Sequence, residues 1–99
     1  MAKYELSRAA DRDLDDIYVY TYRQFGPLQA DVYFESLEEC LNKLAENPLL
    51  GIDASNIRAG YRRFVHQRHT LYYKKIKAGV RIMRVLGPGM SVERSLGRP

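Results

Sequence analysis

A single cysteine, Cys40, in 99 residues excludes an internal disulfide, and no paired cysteines stand at the spacing of a structural zinc site. A reducing cytosol is the setting this implies. No apolar run approaches the roughly 18 residues of a spanning helix, and the opening Met1-Ala2-Lys3-Tyr4-Glu5-Leu6 lacks the apolar core of a secretion signal. The chain is expected to be soluble and cytoplasmic, with no membrane partner. Repeats and low-complexity stretches are missing as well. Asp11, Asp13 and Asp15 alternate like the start of a calcium loop, but Asp16 stands where that loop needs Gly and Tyr22 where it needs Glu. Gly87-Pro88-Gly89 lacks the helix start that lets a glycine-rich turn hold phosphate. With no Ser-His-Asp or Cys-His constellation either, neither a cofactor nor a metal is expected.

What is present is a foldable chain with a divided charge. A hydrophobic content of 45% with 8 Tyr places residues 1–99 among single globular domains rather than disordered segments. Residues 1–50 carry 5 basic and 10 acidic side chains, whereas residues 51–99 carry 11 basic and 2 acidic. Asymmetry of this size bears on partners, because like charges gathered on one surface attract a molecule of opposite charge.

Periodicity gives the order of elements. Lys3 to Leu6 alternates as a short strand does, and Ser7 suits a helix N-cap. Ala10, Leu14, Ile17, Tyr18, Thr21 and Phe25 then recur at helical spacing, with Asp13 assigned to the polar side. Gly26-Pro27 ends that helix and starts a second, from about Pro27 to Asn47, where Pro48 stops it. A loop is predicted from Leu49 to Gly60. Thereafter the period is two: Tyr61 to Gln67, His69 to Lys77 and Val80 to Leu86 read as antiparallel strands, with a turn at Lys77-Ala78-Gly79. The fold expected is α+β, a helical hairpin packed on a small antiparallel β-sheet, with the N-terminal strand at an edge. The tail from Gly87 to Pro99 reads as irregular.

Basic residues crowd the predicted sheet. Arg58, Arg62, Arg63, Arg68, Lys74, Lys75, Lys77, Arg81 and Arg84 lie in or beside it, and Lys and Arg on a strand face often serve only solubility and edge protection. Arginine at 62, 63, 81 and 84 offers forked donors for a carboxylate or phosphate. Arg84 sits between residues that demand burial, in Ile82-Met83-Arg84-Val85-Leu86, so it needs an anion, from the acidic helices or from a partner. His66 and His69 are three residues apart, which on extended chain sends them to opposite faces and argues against a shared metal. Either could act as acid or base in RNA cleavage, with Arg62, Arg63 and Arg81 meeting the phosphate charge.

The string Arg58-Ala59-Gly60-Tyr61-Arg62-Arg63-Phe64, followed by His69-Thr70-Leu71-Tyr72-Tyr73 and Ile82-Met83-Arg84-Val85-Leu86, resembles the ParE toxins of the RelE/ParE superfamily. Leu6-Ser7-Arg8-Ala9-Ala10, Asp13-Leu14-Asp15-Asp16-Ile17 and Asn47-Pro48 with Gly51 extend the resemblance over nearly the whole chain. It implies the toxin of a type II toxin-antitoxin system, acting on DNA gyrase by binding rather than as an enzyme. It also implies a ParD-like antitoxin of the ribbon-helix-helix type whose C-terminal segment folds on the toxin in a hetero-oligomer. The alternative within the superfamily is a RelE-like, ribosome-dependent mRNA endoribonuclease. Gly87, Pro88 and Gly89 stand where that branch places a late acid or base, which favours the binding reading. Arg58, Tyr61, Arg62, Arg63, Arg68, Arg81 and Arg84 are the residues expected to meet antitoxin or target.

Overall fold

Ser7 fixes where the first helix begins and how it joins the sheet. In the computed structural model, which describes residues 2–96 with Glu93 in backbone only, strand β1 (Lys3–Leu6) leads through Ser7 into helix α1 (Arg8–Phe25). The Ser7 Oγ accepts from the Ala10 N–H at 3.0 Å and donates to the Met83 carbonyl at 2.8 Å. A helix cap and a sheet anchor are thus one side chain. At the far end Gly26, at φ 89°, ends α1 and opens helix α2 (Pro27–Glu46), a conformation that glycine adopts without a Cβ penalty. Pro27 follows at the first helical position.

The remaining elements are β2 (Ile52–Asp53), β3 (Tyr61–His66), β4 (His69–Ile76), β5 (Gly79–Leu86) and α3 (Val92–Leu96). They build one five-stranded sheet in the order β1-β5-β4-β3-β2. β1 lies at an edge as expected, but it pairs with β5 in parallel, Lys3 opposite Gly79 and Leu6 opposite Ile82. The sheet is therefore mixed. A parallel partner requires a long connection, and here the whole helical hairpin and three strands supply it. The loop predicted after α2 contains β2, a two-residue strand on β3. Above it, the Tyr73 hydroxyl accepts the Gly51 N–H at 2.9 Å and donates to the Pro48 carbonyl at 2.7 Å.

The helical hairpin covers one face of the sheet. Ala10, Leu14, Ile17, Tyr33, Leu37, Leu41 and Leu44 pack there on Leu71, Tyr73, Val80, Ile82 and Val85. On the outer face a smaller cluster joins Ala54, Tyr61, Tyr72, Leu86 and Leu96. The tail is thus not irregular throughout: α3 forms because Leu96 finds an apolar seat, while 97–99 lie outside the described residues. A register shift opposite Tyr72 and Tyr73 leaves Met83 as the extra residue of β5. This bulge moves Val85 to the helix side and Leu86 to the outer side.

Candidate functional site

The bulge also aims Arg84. Its Nε and Nη2 donate to the two carboxylate oxygens of Asp13 at 2.7 and 2.9 Å, and its Nη1 donates to the Ser95 carbonyl at 2.6 Å. The Val85 N–H donates to the same carboxylate at 2.9 Å. Of the two sources open to Arg84, the acidic helix supplies the anion, and the two-point hydrogen bonding holds the guanidinium pKa above its usual value against the opposing effect of burial. Asp13 is buried, contrary to its assignment to the polar side, because it lies three residues after Ala10 and four before Ile17. Arg84 is a clamp between α1, β5 and α3, with its donors turned inward.

Arg62 is likewise spent within the fold, donating to the Gly51 carbonyl at 2.5 Å and more weakly toward that of Leu49. Tyr61 is buried beneath the tail cluster. The other arginines face out. Arg63 stands opposite Tyr72, and Lys74 stands between Tyr61 and Arg81. All belong to the outer face, since their neighbours Tyr73 and Ile82 point to the helices. Arg81 is paired with Glu5 at 2.9 Å, whereas Arg63, Lys74 and the loop residue Arg58 have no acidic partner among the described residues. This face is a basic row across three strands.

The histidines lie on the other side. Gln67, with φ 52°, and Arg68 make a tight turn between β3 and β4, so His66 and His69 become direct cross-strand partners. Both then face α2, not opposite ways. The Ser36 hydroxyl donates to the Tyr33 carbonyl at 2.7 Å and therefore accepts from His66 Nε2 at 3.0 Å. The Tyr33 hydroxyl meets His69 Nδ1 at 2.5 Å and also receives the Arg68 backbone N–H. Burial lowers both histidine pKa values, with Lys43 adding to the effect at His66, and Arg68 and His66 adding to it at His69. They are neutral at pH 7 and separated by the sheet from Arg63 and Arg81. The His-Arg constellation considered for RNA cleavage is not assembled. No group of three or more His, Cys, Asp or Glu side chains that could hold a metal occurs among the described residues.

Beside His69 the surface opens into a cleft of about 550 Å³. Its walls are Ile17, Tyr20 and Phe25 of α1, Tyr33 of α2, Arg68 and His69 of the turn, and Met90 after β5. Tyr20 and Phe25 are more than half exposed, at 56% and 59%. Phe25 continues the apolar spacing of α1 beyond the sheet it would need for cover, so it is a surface residue rather than core. The signal available in sequence was the crowding of apolar and aromatic residues around the full helix circumference in Ile17-Tyr18-Val19-Tyr20-Thr21-Tyr22, wider than one buried stripe requires.

Comparison with known proteins gives a consistent family. The family model described as ParE toxin of type II toxin-antitoxin system, parDE, matches residues 4–91. Toxin ParE1 of Caulobacter vibrioides is 39% identical over 97 residues, covering 98% of this chain and 100% of that protein. Toxin ParE1 of Mycobacterium tuberculosis is 36% identical, covering 96% of this chain and 98% of that protein. Among solved structures, a chain of the chromosomal ParDE TA system from P. aeruginosa superposes with a TM-score of 0.73. At 21% identity, over 88% of this chain and 96% of that one, the likeness is one of fold.

Proposed function

This chain belongs to the ParE toxin family of type II toxin-antitoxin systems, and from that premise we propose that it inhibits DNA gyrase by binding, in the cytoplasm. A ParD-like antitoxin of the ribbon-helix-helix type neutralises it, folding its C-terminal segment on the toxin in a hetero-oligomer. The observation that carries the binding mode is the separation of the outer-face cations from the two histidines. Arg63 and Lys74, with no acidic partner among the described residues, occupy the outer sheet face, while both histidines are neutral and turned under α2. A surface of fixed charge with no histidine beside it is suited to holding a partner.

Supercoiling and DNA-cleavage assays with purified gyrase test the proposal. Inhibition by the wild-type chain, weakened by charge reversal at Arg63 and Lys74, is the expected result. Gyrase that supercoils normally at toxin excess removes the target, and cuts in ribosome-bound mRNA after induction replace it with the RelE-like activity.

A further inference from the structure

The outer face of the sheet draws cations from four elements of the fold. Arg63 of β3, Lys74 of β4 and Arg81 of β5 belong to it by strand alternation. Lys74 stands directly opposite Arg81, and Arg63 is its diagonal neighbour on the other side, so the row spans three strands. Helix α3 adds a fourth cation. Val92 and Leu96, four residues apart, pack on the cluster of Tyr61, Tyr72 and Leu86, which leaves Arg94, midway between them, on the solvent side. Arg63 and Arg94 are exposed, and Lys74 and Arg81 are half-buried. Among the described residues the only carboxylate paired with any of the four is that of Glu5, bound to Arg81. Both partners of that pair are open to solvent, with side-chain exposures of 52% and 38%, and an exposed pair of this kind is weak enough to yield to another anion.

From this arrangement we infer that the outer face binds duplex DNA through its phosphate backbone, without reading sequence. The inference deepens the proposed gyrase inhibition and rests on it for its setting: the toxin meets gyrase through the DNA that gyrase holds. Cations spread over three strands and a helix complement a line of phosphates better than they complement one carboxylate. Three of the four are arginines, whose forked donors fit phosphate oxygens in two-point contacts. The aromatic residues of the face select between nucleic acids. Single strands are held by stacking their bases on exposed rings, but Tyr61 and Tyr72 are only 6% and 4% exposed, packed with Ala54, Leu86 and Leu96. A face with covered rings and outward cations suits a duplex, whose bases are already stacked and whose charge lies outside. The opposite layer repels the same ligand, since residues 1–50, which form β1 and the helical hairpin, carry 10 of the 12 acidic side chains.

The test is fluorescence anisotropy of a short labelled duplex titrated with the purified toxin, gyrase being absent. Wild type is expected to bind with Kd in about the 1–100 μM range of sequence-independent complexes, and log affinity should fall against log salt with a slope of about −3, the value for three to four phosphate contacts. Arg63→Glu with Lys74→Glu should reduce that slope by about 2 and the affinity by at least about tenfold. Arg12→Glu with Arg23→Glu makes the same change of net charge at exposed positions on α1 and should stay within about threefold of wild type, because its charges lie away from the DNA. None of these four residues has an ion partner among the described residues, so circular dichroism should show both variants folded. Equal loss in the two variants would reduce the binding to net charge and overturn the assignment, as would a single strand of the same length bound more tightly than the duplex. No duplex binding by wild type, with gyrase still inhibited, would overturn the inference and leave the inhibition standing. Toxin retained by gyrase equally well with and without DNA would overturn the route through DNA. Duplex binding lost in the outer-face variant, with gyrase unaffected by wild type, would support the DNA site and remove gyrase as the target.

Discussion

Breaking the Asp13–Arg84 clamp should cost more stability than any other single polar change. The carboxylate is nearly enclosed and the guanidinium about one-fifth exposed, with relative side-chain exposures of 9% and 19%. Removing one partner strands the other in an environment that penalises charge. Buried pairs broken in this way lose about 3–5 kcal/mol, and the partial exposure of Arg84 places it near the lower end. With about 4–8 °C of melting temperature per kcal/mol for a domain of this size, Arg84→Ala should melt roughly 12–24 °C below wild type. Asp13→Ala should fall at least as far, since it also strands the Val85 N–H. The assay is a double-mutant cycle by urea denaturation, in which Asp13→Ala with Arg84→Ala isolates the pair. A coupling energy of about 2 kcal/mol is expected, and one below ~0.5 kcal/mol would refute the clamp as a stabilising unit.

Three further outcomes are expected. Tyr73→Phe deletes a hydroxyl that serves both the Gly51 N–H and the Pro48 carbonyl, and should lower the unfolding free energy by about 1–3 kcal/mol in urea titration. Stability should fall as pH drops through the range just below 6.5, because both histidine pKa values are lowered from 6.5 in the fold and the unfolded chain takes up protons first. Replacing both histidines with Gln should flatten the melting temperature between pH 7.5 and 5.5, and an unchanged slope would place the titration elsewhere. Reversing Arg63 and Lys74 together should leave the melting temperature within a few degrees of wild type, since neither has an ion partner among the described residues, while reducing gyrase inhibition.

The main elements were legible because their signals are local. Ser7, Gly26-Pro27 and Asn47-Pro48 bound the two helices, and alternation marked the last three strands to within about a residue. What escaped depends on contacts distant in sequence. The parallel pairing of β1, the seat that orders Leu96 and the two-residue strand β2 each require a partner that no window of sequence contains. The bulge at Met83 is similar, since it is stitched by Ser7 from the other end of the chain. The functional residues divide on the same line. Arginine-rich strands announced a charged sheet, but not that Arg62 and Arg84 turn inward while Arg63 and Lys74 turn out. The histidines misled through a rule for continuous strand, because a single left-handed residue at Gln67 folds them onto one face. Phe25 carried helical spacing into a region where no sheet lies beneath it.

The pairing of β1 with β5 also orders events during synthesis. Lys3 leaves the ribosome early and waits for Gly79, 76 positions later, before its strand has a neighbour. The hairpin's apolar face waits likewise for Val80, Ile82 and Val85. Chains are made from the N-terminus, and a loop this long closes only once its far end exists. Any product interrupted before Leu86 therefore lacks both its sheet edge and the floor of its core. The sheet edge and the floor of the core are therefore completed only once β5 has been made.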